Sequence, residues 1–83
     1  MNLEDMDRLK KIISEIMEIR ESEIKEDFNL IEAGFNSITF IKLIIAIETY
    51  FCFEFEDDDL DIFKLQTLKE LAEYIENKRQ KAE

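Results

Sequence analysis

Apolar residues recur every three or four positions at the start of the chain, at Leu3, Met6, Leu9, Ile13, Ile16 and Met17. That spacing predicts one inward face of a 3.6-period helix. Glu4, Asp7, Arg8, Lys10, Lys11, Glu15 and Glu18 fill the wet face. Asn2 stands where an N-cap belongs, with Glu4 and Asp5 beside the positive helix end. From Arg20 to Asn36 the period fails. Ile24, Phe28, Leu30, Ile31 and Phe35 are scattered among charges and predict a long loop with apolar anchors, a kind of segment that often carries function.

A second helix is predicted from Ser37 to Tyr50 or Phe51. Ile38, Phe40, Ile41, Leu43, Ile44, Ile45, Ala46 and Ile47 are apolar, and only Lys42 and Glu48 carry charge. A helix so apolar all round in so small a chain has to present part of that surface to something else. Leu43, Ile44 and Ile47 are the expected core positions. The stretch Phe51 to Phe55 alternates like a strand but has no partner strand, so it reads as an extended connection with inward phenylalanines. Cys52 lies between two of them and is expected to be a small buried apolar residue. Asp57 to Phe63 predicts a short third helix with Leu60, Ile62 and Phe63 as core contacts. Thr67 followed by Glu70 is a capping box opening a last helix, with Leu68, Leu71, Ala72 and Ile75 inward. The tail from Lys78 to Glu83 is polar and expected to fray.

No Pro and a single Gly among 83 residues leave few breakers, which favours helices over a turn-rich β fold. The length predicts one domain over 1–83 with a small core. Twenty-one acidic residues against 11 basic give a net charge of −10, which repels nucleic acid and anionic membranes and attracts basic partner surfaces. No run approaches the roughly 20 apolar residues of a membrane span. Acidic residues stand where a signal peptide needs cations, so a cytoplasmic protein is expected. With one cysteine there is no internal disulfide, and without histidine there is no Ser/His or Cys/His catalysis. No paired acid and base suggests an enzyme. Asp57, Asp58, Asp59 and Asp61 miss the calcium-loop template, because Ile62 and Leu68 stand where Gly and Glu belong.

Special residue types converge at Ala33-Gly34-Phe35-Asn36-Ser37-Ile38. Gly34 permits a backbone conformation closed to other residues, and three positions later a hydroxyl heads an apolar helix. Helix N-termini favour phosphate. As an isolated feature, Ser37 reads first as a helix cap, a preference that the surrounding pattern reverses.

Glu32-Ala33-Gly34-Phe35-Asn36-Ser37-Ile38, followed by Leu43, Ile47 and Glu48, resembles the 4′-phosphopantetheine attachment motif of acyl and peptidyl carrier proteins. The likeness extends to the helix order along nearly the whole chain. It implies an all-α, four-helix carrier bundle with three main helices and one short one. It implies that a phosphopantetheinyl transferase places the 4′-phosphopantetheine arm on Ser37, with Gly34, Phe35 and Asn36 as the supporting loop. The arm's thiol then holds an acyl or aminoacyl thioester, loaded by an adenylation enzyme or acyltransferase and passed to downstream enzymes, while the carrier catalyses nothing and binds no metal. Ile38, Ile41, Lys42 and Ile45 become the partner-binding face of a discrete, monomeric carrier. Fatty-acid carriers usually have Asp before the serine and an acidic second helix. Asn36 and Lys42 look more like carriers of nonribosomal peptide or polyketide biosynthesis. The competing expectation is an unmodified acidic helical adaptor whose second helix docks into a partner groove.

Overall fold

The computed structural model describes residues 1–81. Three helices, α1 (Leu3–Met17), α2 (Ser37–Phe51) and α3 (Leu68–Lys81), are joined by two long connections. Each connection holds a single 3₁₀ turn, at Glu21–Glu23 and at Asp57–Asp59. The all-α expectation holds, with the expected short third helix reduced to that second turn.

Local chemistry sets the helix ends. Asn2 caps α1 by accepting from the Asp5 amide at 2.8 Å. Thr67 caps α3, its Oγ1 accepting from the Glu70 amide at 3.2 Å and donating to Glu70 Oε1 at 3.1 Å. Both α1 and α2 terminate in a left-handed residue that is not glycine, Glu18 at φ 56° and Cys52 at φ 57°. A Cβ in that conformation costs roughly 1 kcal/mol or more. Glu18→Gly should therefore raise stability by about 0.5–1 kcal/mol, read as a higher urea midpoint at unchanged slope. An unchanged or lower midpoint would refute this account of the α1 terminus.

The core draws one face from each helix. Leu9 and Ile13 come from α1, Phe40, Leu43, Ile44, Ile47 and Phe51 from α2, and Leu68, Leu71, Ala72 and Ile75 from α3. The long first connection is pinned as expected by Ile24, Leu30 and Phe35, all buried, with Phe28 and Ile31 half-buried. It is also stitched to the entry of α3. The Leu30 amide donates to Gln66 O at 2.7 Å and the Leu68 amide to Phe28 O at 3.0 Å. This one bridge of extended backbone couples the loop that precedes α2 to the start of α3.

Four expectations are corrected. Leu3 is 82% exposed, because it lies in the terminal turn at the edge of the inward arc, and Met1 and Met6 cover the core there instead. Leu60 and Phe63 are also exposed, at 42% and 69%. One 3₁₀ turn followed by a turn anchored on Asp61, whose Oδ1 accepts from the Phe63 amide at 2.9 Å, has no helical face to carry them inward. Leu65, not singled out by the pattern, is buried in their place. Cys52 is exposed, since α2 ends on it in the left-handed conformation. The expected fraying does not begin at Lys78, because α3 runs on to Lys81; residues 82–83 lie outside those described. Arg79 holds that end to α1 through Asp5 at 2.9 Å and sits over the Phe51 ring at 5.4 Å.

A polar clasp fixes the second connection to α3. The Tyr74 hydroxyl donates to Asp59 Oδ2 at 2.7 Å, and its ring stacks on Phe55 at 5.0 Å. Lys78 pairs with Glu56 at 2.7 Å. Burial, reinforced by the bond to Asp59, pushes the Tyr74 phenol from 10.0 up to about 12. A folded-state value above the unfolded one stabilises below pH 10 and is lost as pH rises toward 12. Phenolate absorbance in alkali should thus show a step near pH 12 that Tyr74→Phe removes. If the variant titrates like the parent, the clasp is not formed as described.

Candidate functional site

Ser37 is the first residue of α2 and is exposed. The loop before it is built by close-range bonds. Asn29 Oδ1 accepts from the Glu32 amide at 2.9 Å, and the Phe35 amide donates to Leu30 O at 3.0 Å. Gly34 takes φ +104°, a region hostile to side chains, although a Cβ would meet only Met17 Cε at an ordinary 3.8 Å. The glycine is thus required by its backbone angle rather than by space. Phe35, by contrast, is buried and plugs the core under the loop. The three supporting residues are therefore brought together, Gly34 as the turn, Phe35 as the anchor and Asn36 as the cap.

That cap bears on the two readings of Ser37. Asn36 Oδ1 accepts from the amides of Ile38 at 2.9 Å and Thr39 at 3.0 Å. Thr39 Oγ1 in turn accepts from the Asn36 amide at 2.7 Å, completing a capping box. Thr39 was not singled out by sequence reasoning, because the familiar box has Glu or Gln in its place. Since Asn36 already satisfies the helix end, the Ser37 hydroxyl has no capping duty. Two of the free amides expected to receive a phosphate are taken up by Asn36, so an anion on Ser37 would be favoured chiefly by the helix field. No acidic residue stands in the first turn of α2 to oppose it. An exposed hydroxyl, a positive helix end and no nearby repelling carboxylate on that turn fit a serine-linked phosphodiester.

Beyond Ser37 the helix divides cleanly. At 3.6 residues per turn, Phe40, Leu43, Ile44, Ile47 and Phe51 fall within an arc of about 100°, and all are buried. Ile38, Ile41 and Ile45 fall within about 60° on the opposite side and are 69%, 57% and 57% exposed. Lys42 borders them and is exposed. Glu48 is half-buried, and its Oε2 accepts from the Phe55 amide at 3.0 Å, fixing the turn that follows α2. No helix among the described residues is long and apolar enough to cross a membrane.

The family described as phosphopantetheine attachment site matches residues 7–75. An acyl carrier protein of Buchnera aphidicola subsp. Schizaphis graminum is 35% identical over 75 residues, covering 89% of this chain and 92% of its own. The chain belongs to the acyl carrier protein family. A second acyl carrier protein, from Buchnera aphidicola subsp. Acyrthosiphon pisum, is 33% identical over 81 residues, covering 96% of each chain. The fold matches the solution structure of a holo acyl carrier protein from Nitrosomonas europaea with a TM-score of 0.80 at 23% identity, over 90% of this chain and 95% of that one. The protein is thus a carrier of 4′-phosphopantetheine and not an enzyme. In such a carrier the prosthetic arm supplies a thiol that holds the cargo as a thioester, and the chain supplies position. Acyl carrier proteins work with phosphopantetheinyl transferases and with biosynthetic enzymes.

Proposed function

We propose that Ser37 is the attachment residue and that Ile38, Ile41, Lys42 and Ile45 form the face that meets partner enzymes. The observation that carries this reading is the transfer of the capping role to Asn36, which leaves the exposed Ser37 Oγ available at the head of an apolar face. Gly34, Phe35 and Asn36 hold that oxygen in place. Its attachment needs no base from this chain, because a phosphopantetheinyl transferase performs the transfer from coenzyme A.

We further propose a cytoplasmic, monomeric carrier whose residues 1–83 form one domain, loaded by an adenylation enzyme or acyltransferase in nonribosomal peptide or polyketide biosynthesis. The Buchnera relatives bear the plain name acyl carrier protein. The pathway reading rests on Asn36 before the serine and on Lys42 in place of an acidic second helix. The test is intact mass after incubation with coenzyme A and a broad-specificity transferase. A gain of one arm in the parent and none in Ser37→Ala is expected. No gain, or an equal gain in the variant, overturns the assignment and favours an unmodified adaptor.

A further inference from the structure

The protein carries a net charge of −10, yet the outer face of α2 is not acidic. Its exposed apolar residues, Ile38, Ile41 and Ile45, are flanked by Lys42. The helix has one carboxylate, Glu48, and the Phe55 amide occupies it at 3.0 Å. Lys42 is the one cation of α2. Elsewhere Lys78 pairs with Glu56 and Arg79 with Asp5. Among the described residues Lys42 has no ion-pair partner.

We propose that this face recognises an enzyme surface that is apolar and carries a carboxylate opposite Lys42, so that Lys42 selects acid-bearing partners over partners with a basic patch. This rests on the reading that the outer face of α2 meets partners. Covering the isoleucines removes water from Lys42 as well, and an ammonium buried without a counter-charge is costly. A partner carboxylate satisfies it, whereas an arginine or lysine patch adds like-charge repulsion at the same spot. The acids of the second connection, Asp57, Asp58 and Asp59, still draw basic rims, but they lie off α2. Lys42 is therefore a specificity residue for the enzyme that approaches the helix itself.

Two phosphopantetheinyl transferases serve as probes, chosen by the chemistry of their carrier-binding grooves. One groove is apolar with Asp or Glu, the other is lined by Lys and Arg. The kcat/KM for mass gain at Ser37 is measured with each on the full chain, on Lys42→Glu and on Lys42→Gln. The parent should favour the acid-bearing transferase. Lys42→Glu should shift the ratio of the two kcat/KM values about tenfold or more toward the basic one, with Lys42→Gln between. The shift should shrink in high salt, as a purely structural effect would not. An unchanged ratio with normal mass gain overturns this proposal alone. Absence of mass gain in the parent with both probes overturns the Ser37 assignment, and this proposal with it.

Discussion

Alanine at Ser37 should abolish attachment of the arm completely while leaving the stability of the fold within about 0.5 kcal/mol of the parent. Alanine at the neighbouring Asn36 should do the reverse, lowering stability by about 1 kcal/mol with the mass gain retained. The opposition follows from the division of labour at the start of α2. Asn36 Oδ1 is the acceptor for the Ile38 and Thr39 amides, at 2.9 and 3.0 Å. Losing it leaves two helix-end donors to water and removes one half of the box with Thr39. Ser37 accepts no such burden, and alanine is a better helix residue than serine. Paired measurements of intact mass and urea midpoint on both variants decide the matter. If Ser37→Ala loses as much stability as Asn36→Ala, the serine is a cap and the adaptor reading gains.

Truncation of Ile47 to alanine should come close to unfolding the protein. Ile47 is fully buried on α2, where all three helices contribute to one cluster. Removing its side chain forfeits its transfer energy and leaves a cavity, at a cost of about 2–5 kcal/mol. A domain of this length has only about 4–12 kcal/mol in total. The expected loss is therefore a large share of the whole, and the thermal midpoint should fall by roughly 10 °C or more. The exposed neighbour two positions away is the control. Ile45→Ala should shift the midpoint by only a small amount, since Ile45 is 57% exposed. Similar losses at Ile45 and Ile47 would mean that α2 is turned otherwise than described.

The helical phase of α2 is where sequence reasoning reached its limit. Isoleucine, leucine and phenylalanine stand on all sides of this helix, so periodicity alone did not separate inward from outward positions. Leu43, Ile44 and Ile47 were expected inside and are there, but the side taken by Phe40 was settled only by packing, which buries it. In α1 and α3 the charges alternate with the apolar residues, and their inward faces were legible apart from Leu3. The site was equally divided. The motif from Gly34 to Ile38 points to Ser37 without any structure, whereas the role of Thr39 at its flank appears only once the capping bonds are seen. Around Asp57 to Phe63 the local pattern suggested a helix that the chain does not complete, and the exposed Leu60 and Phe63 follow from that.

What the amino-acid order determined by itself is what neighbours within about four residues decide: the three main helices, the caps at Asn2 and Thr67, the glycine turn and the serine at the head of an apolar helix. What only the tertiary structure decided is what distant parts of the chain impose. The opposing faces of α1 and α3 choose which isoleucines of α2 stay in water. Asp5 holds Arg79 from 74 residues away, and Asp59 holds Tyr74 from 15. Hydrogen bonds within a helix form at short range, but burial is set by what lies across the core, and no local pattern names that partner.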